Sequence, residues 1–150
     1  MNISTKGRYG LRAMLDMAMN GNGDPIPLSA IAQRQDISEG YLEQMMVLLK
    51  RAGLVRSVRG AQGGYILGRK PEDITVKDIF VCLEGPIAPV SCVDEQYLQD
   101  CDRLEYCSTR VVWNEVKIAI SKVLEKYSLA ELIAMEELHG GEHCCCCSQR

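Results

Sequence analysis

Between Pro27 and Leu67 three short elements follow one another with almost no slack, and their order constrains the fold more than any other feature of the chain. Pro27-Leu28-Ser29 opens a short helix that runs to about Gln35 and turns Leu28, Ile31 and Ala32 inward. Asp36-Ile37 leaves room only for a tight connection. Ser38 suits the next N-cap, because its hydroxyl can accept a bond from an unpaired first-turn N–H. Ile37 and Leu42 can close a hydrophobic staple around that cap. Leu42, Met45, Met46 and Leu49 then recur at i, i+3, i+4 and i+7, the buried stripe of an amphipathic helix. The helix ends at Ala52-Gly53, where glycine accepts the left-handed conformation of a helix terminus. Leu54–Arg59 and Tyr65–Leu67 are β-prone runs joined by Gly60-Ala61-Gln62-Gly63-Gly64, which predicts a hairpin with a flexible tip. Two helices at a tight turn followed by a hairpin is the order of a winged helix-turn-helix, whose second helix enters the DNA major groove by its N-terminal end.

The flanking sequence extends this unit on both sides. A helix from about Thr5 to Asn20, capped by Ser4 or Thr5, buries Ala13, Met14, Met17 and Ala18 and is broken by Gly21-Asn22-Gly23-Asp24-Pro25. Thr75 and Asp78 make a capping-box start for a helix whose apolar residues are Val76, Ile79, Phe80 and Leu83. From Gly85 to Cys107 no period holds, and a loop of about 20 residues is usually functional or disordered. A long helix from Ser108 to Tyr127 follows, with Trp113, Val116, Ile120, Val123 and Tyr127 at 3-4-3-4 spacing. That spacing fits packing along a partner helix. It can also serve a core helix within one chain, but few elements precede it to receive it, which favours a contact between subunits. Ser128 and Glu131 cap a last helix reaching about Leu138. The fold class is therefore mainly α with a small β-wing: a winged helix-turn-helix plus a long dimerisation helix. The division is 1–84 for DNA binding, 85–107 for a cysteine-containing loop, 108–138 for the dimerisation and C-terminal helices, and 139–150 for a disordered Cys-rich tail. With one Trp and one Phe in 150 residues, the core has to be built from aliphatic side chains and seven Met.

Charge divides along the same line. Residues 1–70 carry a net +5 and residues 71–150 a net −8, within an overall −3. Such a split arises by chance on many surfaces, or it marks an electropositive half facing a polyanion. The side chains favour the second reading. Gln44 can pair with an adenine edge and Glu43 can accept from a cytosine amine; Glu43 is otherwise a solvated helix residue. Ser38 stands at the helix entrance. Gly40 permits close approach of a phosphate, and Tyr41 can reach a phosphate or stack. Arg59, beside Gly60 on a thin loop, suits a narrow minor groove or a phosphate. Lys6, Arg8, Arg12, Arg51 and Arg56 are candidate phosphate contacts. The expected partner is a double-stranded DNA operator.

Eight cysteines in a chain without an apolar signal core or a membrane-spanning run point to a cytoplasmic protein using metal or redox chemistry, not a disulfide framework. Cys92, Cys101 and Cys107 are spaced C-x8-C-x5-C. Thiolates are the ligands that iron–sulfur clusters demand, although zinc or a redox pair could use the same spacing. Asp94, Glu95, Asp100, Asp102 and Glu105 lie among them, as solvating residues or as further ligands. Cys82, in an apolar helix, reads as a small core residue. His143-Cys144-Cys145-Cys146-Cys147 is either a soft-metal tail or an oxidation-prone appendage.

Ser4-Thr5-Lys6-Gly7-Arg8-Tyr9-Gly10, Ser38-Glu39-Gly40-Tyr41-Leu42-Glu43-Gln44 and Val58-Arg59-Gly60-Ala61-Gln62-Gly63-Gly64-Tyr65 resemble the iron–sulfur cluster regulator (IscR) family of bacterial repressors, over residues 1 to about 138. That family has nitric-oxide-sensing and cysteine-metabolism relatives. The resemblance implies a winged-helix homodimer held by the long helix on a roughly palindromic operator, read by the Tyr41–Gln44 segment and the Arg59 wing. It also implies that the three cysteines hold an iron–sulfur cluster, [2Fe–2S] ahead of [4Fe–4S]. Two positions depart from the family. Arg110 stands where one pattern has a ligating His, and Arg8 where the nitric-oxide branch has an acid, so the fourth ligand is unassigned among Asp100, Asp102, Glu105, a tail thiol and the other subunit.

Two other readings remain. One is a cluster-free repressor of cysteine or sulfur metabolism, controlled by thiol oxidation or by a cysteine-synthesis or cluster-assembly protein. The other is a metal-thiolate protein for electron transfer or cluster delivery. An enzyme is not expected: the two histidines, His139 and His143, lie near the tail, and no Ser or Cys stands beside a base.

Overall fold

The computed structural model describes residues 4–94 and 102–138. Among them lie six helices and one two-stranded sheet: α1 Thr5–Asn20, α2 Leu28–Gln35, α3 Glu39–Arg51, β1 Val55–Val58, β2 Gly64–Leu67, α4 Val76–Glu84, α5 Ser108–Lys126 and α6 Leu129–Leu138. Short 3-10 turns at Pro71–Asp73 and Ser91–Val93 join the later elements. The architecture is mainly α with a β-wing, as the order of elements predicts.

The core forms where the apolar stripes of α1, α2, α3 and α4 converge. Ala13, Met14 and Met17 of α1 meet Ile31 and Ala32 of α2, Leu42, Met45, Met46 and Leu49 of α3, and Ile79 and Leu83 of α4. Full burial of each large side chain contributes about 1.5–3 kcal/mol. Unbranched Met fills the irregular gaps that few aromatics are present to fill. Leu129 of α6 enters the same core. It is held there by backbone bonds from Leu129 N–H to Ile74 O (2.9 Å) and from Val76 N–H to Tyr127 O (2.8 Å).

A buried carboxylate on α1 is tied to a partly exposed guanidinium on α2. Asp16 is only 4% exposed and accepts from Arg34 Nε and Nη2 at 2.8 and 2.6 Å and from Gln35 Nε2 at 3.1 Å. The hydrogen bond to Asp16 raises the pKa of Arg34. Arg12 donates to the Gln35 side chain and carbonyl at 3.1 and 2.8 Å. Arg12 thus braces α1 against α2 and is not a free phosphate contact.

The wing is antiparallel, with Val55 opposite Leu67 and Val58 opposite Gly64. Sequence periodicity did not reveal its third edge: Ile26 bridges to Tyr65 by paired backbone bonds of 2.9 Å. Gly64 makes that bridge possible, since a Cβ there would meet the Ile26 carbonyl oxygen at 2.2 Å.

Caps fall where expected with one exception. Thr75 and Asp78 form a reciprocal capping box. Ser128 and Glu131 form another, and the Ser128 N–H and hydroxyl lower the Glu131 pKa. Ser38 does not cap α3 with its hydroxyl. Its carbonyl starts the helix by accepting from Leu42 N–H at 3.0 Å, and the tight turn is made by Asp36 in the left-handed region at φ 52°. Ile37 and Leu42 are both buried in the shared core.

Candidate nucleic-acid interface and thiol site

The exposed face of α3 carries Glu39, Gly40, Glu43, Gln44, Val47, Lys50 and Arg51, with Ser38 at its entrance. A Cβ at Gly40 would meet nothing within 4 Å, so the fold itself does not require glycine there. Tyr41 differs from its neighbours. It is half-buried and packs edge-on against Tyr9 of α1, with ring centroids 6.2 Å apart and planes at 86°. Arg8 and Arg12 lie over the Tyr9 ring at 6.0 and 5.6 Å. The Tyr9–Tyr41 pair thereby links the first turns of α1, where exposed Arg8 lies, to α3.

The wing tip carries Arg59 and Gly60, both exposed. Gly60 adopts φ 121°, a conformation that side chains rarely take, and its carbonyl accepts from Gly63 N–H at 2.9 Å. Lys50 Nζ donates to Ser57 Oγ at 2.6 Å, which fixes the wing against the last turn of α3. Arg56 donates to the Gly68 carbonyl at 3.2 Å and so belongs to the wing's own scaffold.

Lys6 lies in the first turn of α1, whose end is organised by α4. The Lys6 N–H donates to Ser4 Oγ at 3.1 Å, Ser4 Oγ donates to Glu84 Oε1, and Gly7 N–H reaches the same carboxylate oxygen at 2.7 Å.

The thiol segment departs from Gly85, at φ 91°. Ile87 and Val93 are buried and anchor it, while Asp102 and Glu105 are exposed. Cys92 lies in the Ser91–Val93 turn and Cys107 is the N-cap residue of α5; both are half-buried free thiols. Arg110 Nε donates to the Cys92 carbonyl at 3.2 Å and Lys117 Nζ to the Val93 carbonyl at 2.9 Å. The first and third turns of α5 therefore hold the Cys92 turn, and Arg110 serves as a brace at the position where the family pattern has a ligating His. Cys107 Sγ lies 3.1 Å from Thr109 Oγ1. That hydrogen bond, helped by backbone N–H groups of α5 and by Arg103, lowers the Cys107 pKa, which favours the ligating thiolate. Cys101, Glu95, Asp100 and the tail cysteines lie outside the described residues. Among the described residues no three His, Cys, Asp or Glu side chains form a metal-holding group. The donor chemistry of Cys92 and Cys107 still suits two ligands of a thiolate-bound cluster. Cys82 is half-buried beside the core, and burial raises its pKa.

The predicted stripe on α5 lies between two environments. Val116, Ile120 and Tyr127 are half-buried, whereas Trp113 and Val123 are 40% and 58% exposed, and Val112 beside them is exposed as well. No residue of α5 is fully buried, so it is not a core helix of its own chain. No helix among the described residues is long and apolar enough to cross a membrane.

Comparison with known proteins agrees with this architecture. The Rrf2 family model, described as an iron-dependent transcriptional regulator, matches residues 3–135. The chain is 43% identical over 133 residues to the protein rrf2 of Nitratidesulfovibrio vulgaris, a match covering 89% of this chain and 87% of that protein. In structure it is similar to CymR (YrzC), the global cysteine regulator of B. subtilis, with a TM-score of 0.74 and 42% identity over 90% of this chain and 98% of that one. It is equally similar to T. potens IscR, with a TM-score of 0.74 and 40% identity over 96% and 93% of the two chains.

Proposed function

This chain belongs to the Rrf2 family of DNA-binding transcriptional regulators, and from that premise we propose that it is a homodimeric repressor whose operator affinity depends on an iron–sulfur cluster held by Cys92, Cys101 and Cys107. The observation that carries the sensing part is the Arg110–Cys92 bond. It holds the Cys92 turn against the first turn of the helix that Cys107 caps, so two of the three thiols belong to one end of α5.

Residues 1–84 read the operator on this proposal. Glu43 and Gln44 face base edges in the major groove, Ser38 and Gly40 admit the backbone at the helix entrance, and Arg59 with Gly60 enters the adjacent minor groove. Lys6, Arg8 and Arg51 neutralise phosphates. The exposed stripe at Val112, Trp113 and Val123 meets the same stripe of a second copy, because an apolar surface of that kind is stabilised by a self-complementary twofold contact. Two recognition helices then address half-sites one helical turn apart, about 34 Å.

The cluster supplies a cofactor whose presence and oxidation state respond to iron, sulfide and oxidants. The protein's part is to hold the thiol segment against α5, through Arg110 and Lys117. Since α5 also bears the dimer stripe, a shift of its first turns changes the relation between the two reading heads. A coupling of about 1–3 kcal/mol is enough to alter occupancy usefully.

The test is anaerobic purification with an absorption spectrum, iron and sulfide analysis and a footprint on the chain's own promoter. Wild type carries iron and sulfide, and the Cys92/Cys101/Cys107→Ala triple variant carries none. Equal iron and sulfide in both proteins overturns the cluster site. The equal similarity to CymR supports a second reading, a cluster-free regulator of cysteine metabolism controlled by thiol oxidation or a protein partner. A colourless protein with an intact footprint selects that reading.

A further inference from the structure

The first turn of α1 carries Lys6 and Arg8 and no acidic residue. Positive side chains at the positive end of a helix dipole are unfavourable. The compensating carboxylate comes from the far end of α4. Glu84 Oε1 collects the Gly7 N–H at 2.7 Å and the Ser4 hydroxyl, and that hydroxyl in turn accepts the Lys6 N–H at 3.1 Å. One side chain thus satisfies two unpaired first-turn donors, one directly and one through Ser4. α4 lies close against this turn: a Cβ at Gly7 would lie 2.6 Å from Glu84 Oε1 and would push that side chain off its present bonds, and one at Gly10 would lie 2.0 Å from Leu83 Cδ1.

We infer that Glu84 is a positioning residue for DNA binding: an acidic side chain that strengthens phosphate contact by holding the turn that presents Lys6 and Arg8. The inference rests on the reading of those two residues as phosphate contacts. Its signature is its sign. Deleting a negative charge from a DNA-binding surface strengthens binding by simple electrostatics, whereas deleting a positioning residue weakens it.

The experiment uses the full chain and a mixed-sequence duplex of about 30 base pairs, because sequence-independent binding reports phosphate contacts. Glu84→Ala binds about five- to tenfold more weakly at low salt. Its slope of log affinity against log salt is shallower by about one to two. Glu84→Gln keeps the accepting oxygen, loses the charge and restores both quantities. Ser4→Ala moves both in the same direction by less, and serves as the measured variant if Glu84→Ala does not fold. In a Lys6→Ala/Arg8→Ala background, Glu84→Ala adds nothing, since it acts through those residues. Binding by folded Glu84→Ala that equals or exceeds wild type at an unchanged slope overturns the inference. An unchanged slope in Lys6→Ala/Arg8→Ala itself overturns the phosphate-contact reading, and the inference falls with it; the two failures are told apart by which variant shows it.

Discussion

Individual glycines and cysteines in this chain are distinguished by what surrounds them, and matched substitutions expose the difference. Gly64 faces the Ile26 carbonyl with no room for a Cβ, whereas Gly40 faces open space at the entrance of α3. Gly64→Ala costs stability by about 2 kcal/mol or more, read in a denaturant titration. Gly40→Ala gains up to about 1 kcal/mol from helix propensity while weakening operator binding; unchanged DNA affinity removes Gly40 from the interface. The thiols diverge in the same way. In cluster-free protein the Thr109 hydrogen bond lowers the pKa of Cys107 and burial raises that of Cys82. The thiolate is the reacting form, so the pH midpoint for alkylation of Cys107 lies below that of Cys82. Peptide-resolved mass spectrometry of alkylation against pH measures the order. The sequence places Gly40 on a helix, Gly64 at a hairpin and Cys82 in an apolar stripe; the contact of Gly64 with the Ile26 carbonyl is what only the structure shows.

Elements show how much a pattern can say. The stripes of α1, α3 and α4 are legible because each has one apolar face, and burial follows the stripe; α1 and α4 also carry a side-chain cap at their start. The stripe on α5 was readable as apolar, but its partner was not, because the same 3-4 spacing serves an internal or an external contact. The structure leaves Trp113 and Val123 exposed and Val116 half-buried. Val123→Asp should therefore leave the monomer folded and shift the protein from dimer to monomer in sedimentation analysis. Retention of the dimer would remove α5 from the interface. The link between α1 and α2 lay beyond any pattern. Asp16→Ala removes the buried acceptor shared by Arg34 and Gln35 and destabilises the domain by about 1–3 kcal/mol, measurable by thermal or chemical melting.

At the scale of the molecule, a basic half and an acidic half are joined by a segment that carries thiols, and on the proposed dimer two reading heads would multiply each other's affinity. A monomeric Val123→Asp variant accordingly loses operator affinity by at least about a hundredfold through the lost second half-site, while its sequence-independent contacts per subunit persist. Gel-shift titration of the variant against wild type checks this. The sequence by itself determined the order of elements, the winged helix and the apolar faces, because periodicity, caps and motif spacing are local properties of the chain. Tertiary structure decided what each polar residue is engaged with. Arg12 and Arg56 donate to the Gln35 and Gly68 carbonyls, Arg110 supports the Cys92 turn, and Glu84 caps a helix at Gly7, 77 residues before it. Those roles depend on which side chain lies within about 3 Å of which group, and chains separated by many residues meet at that distance only once the core has set the helices against one another.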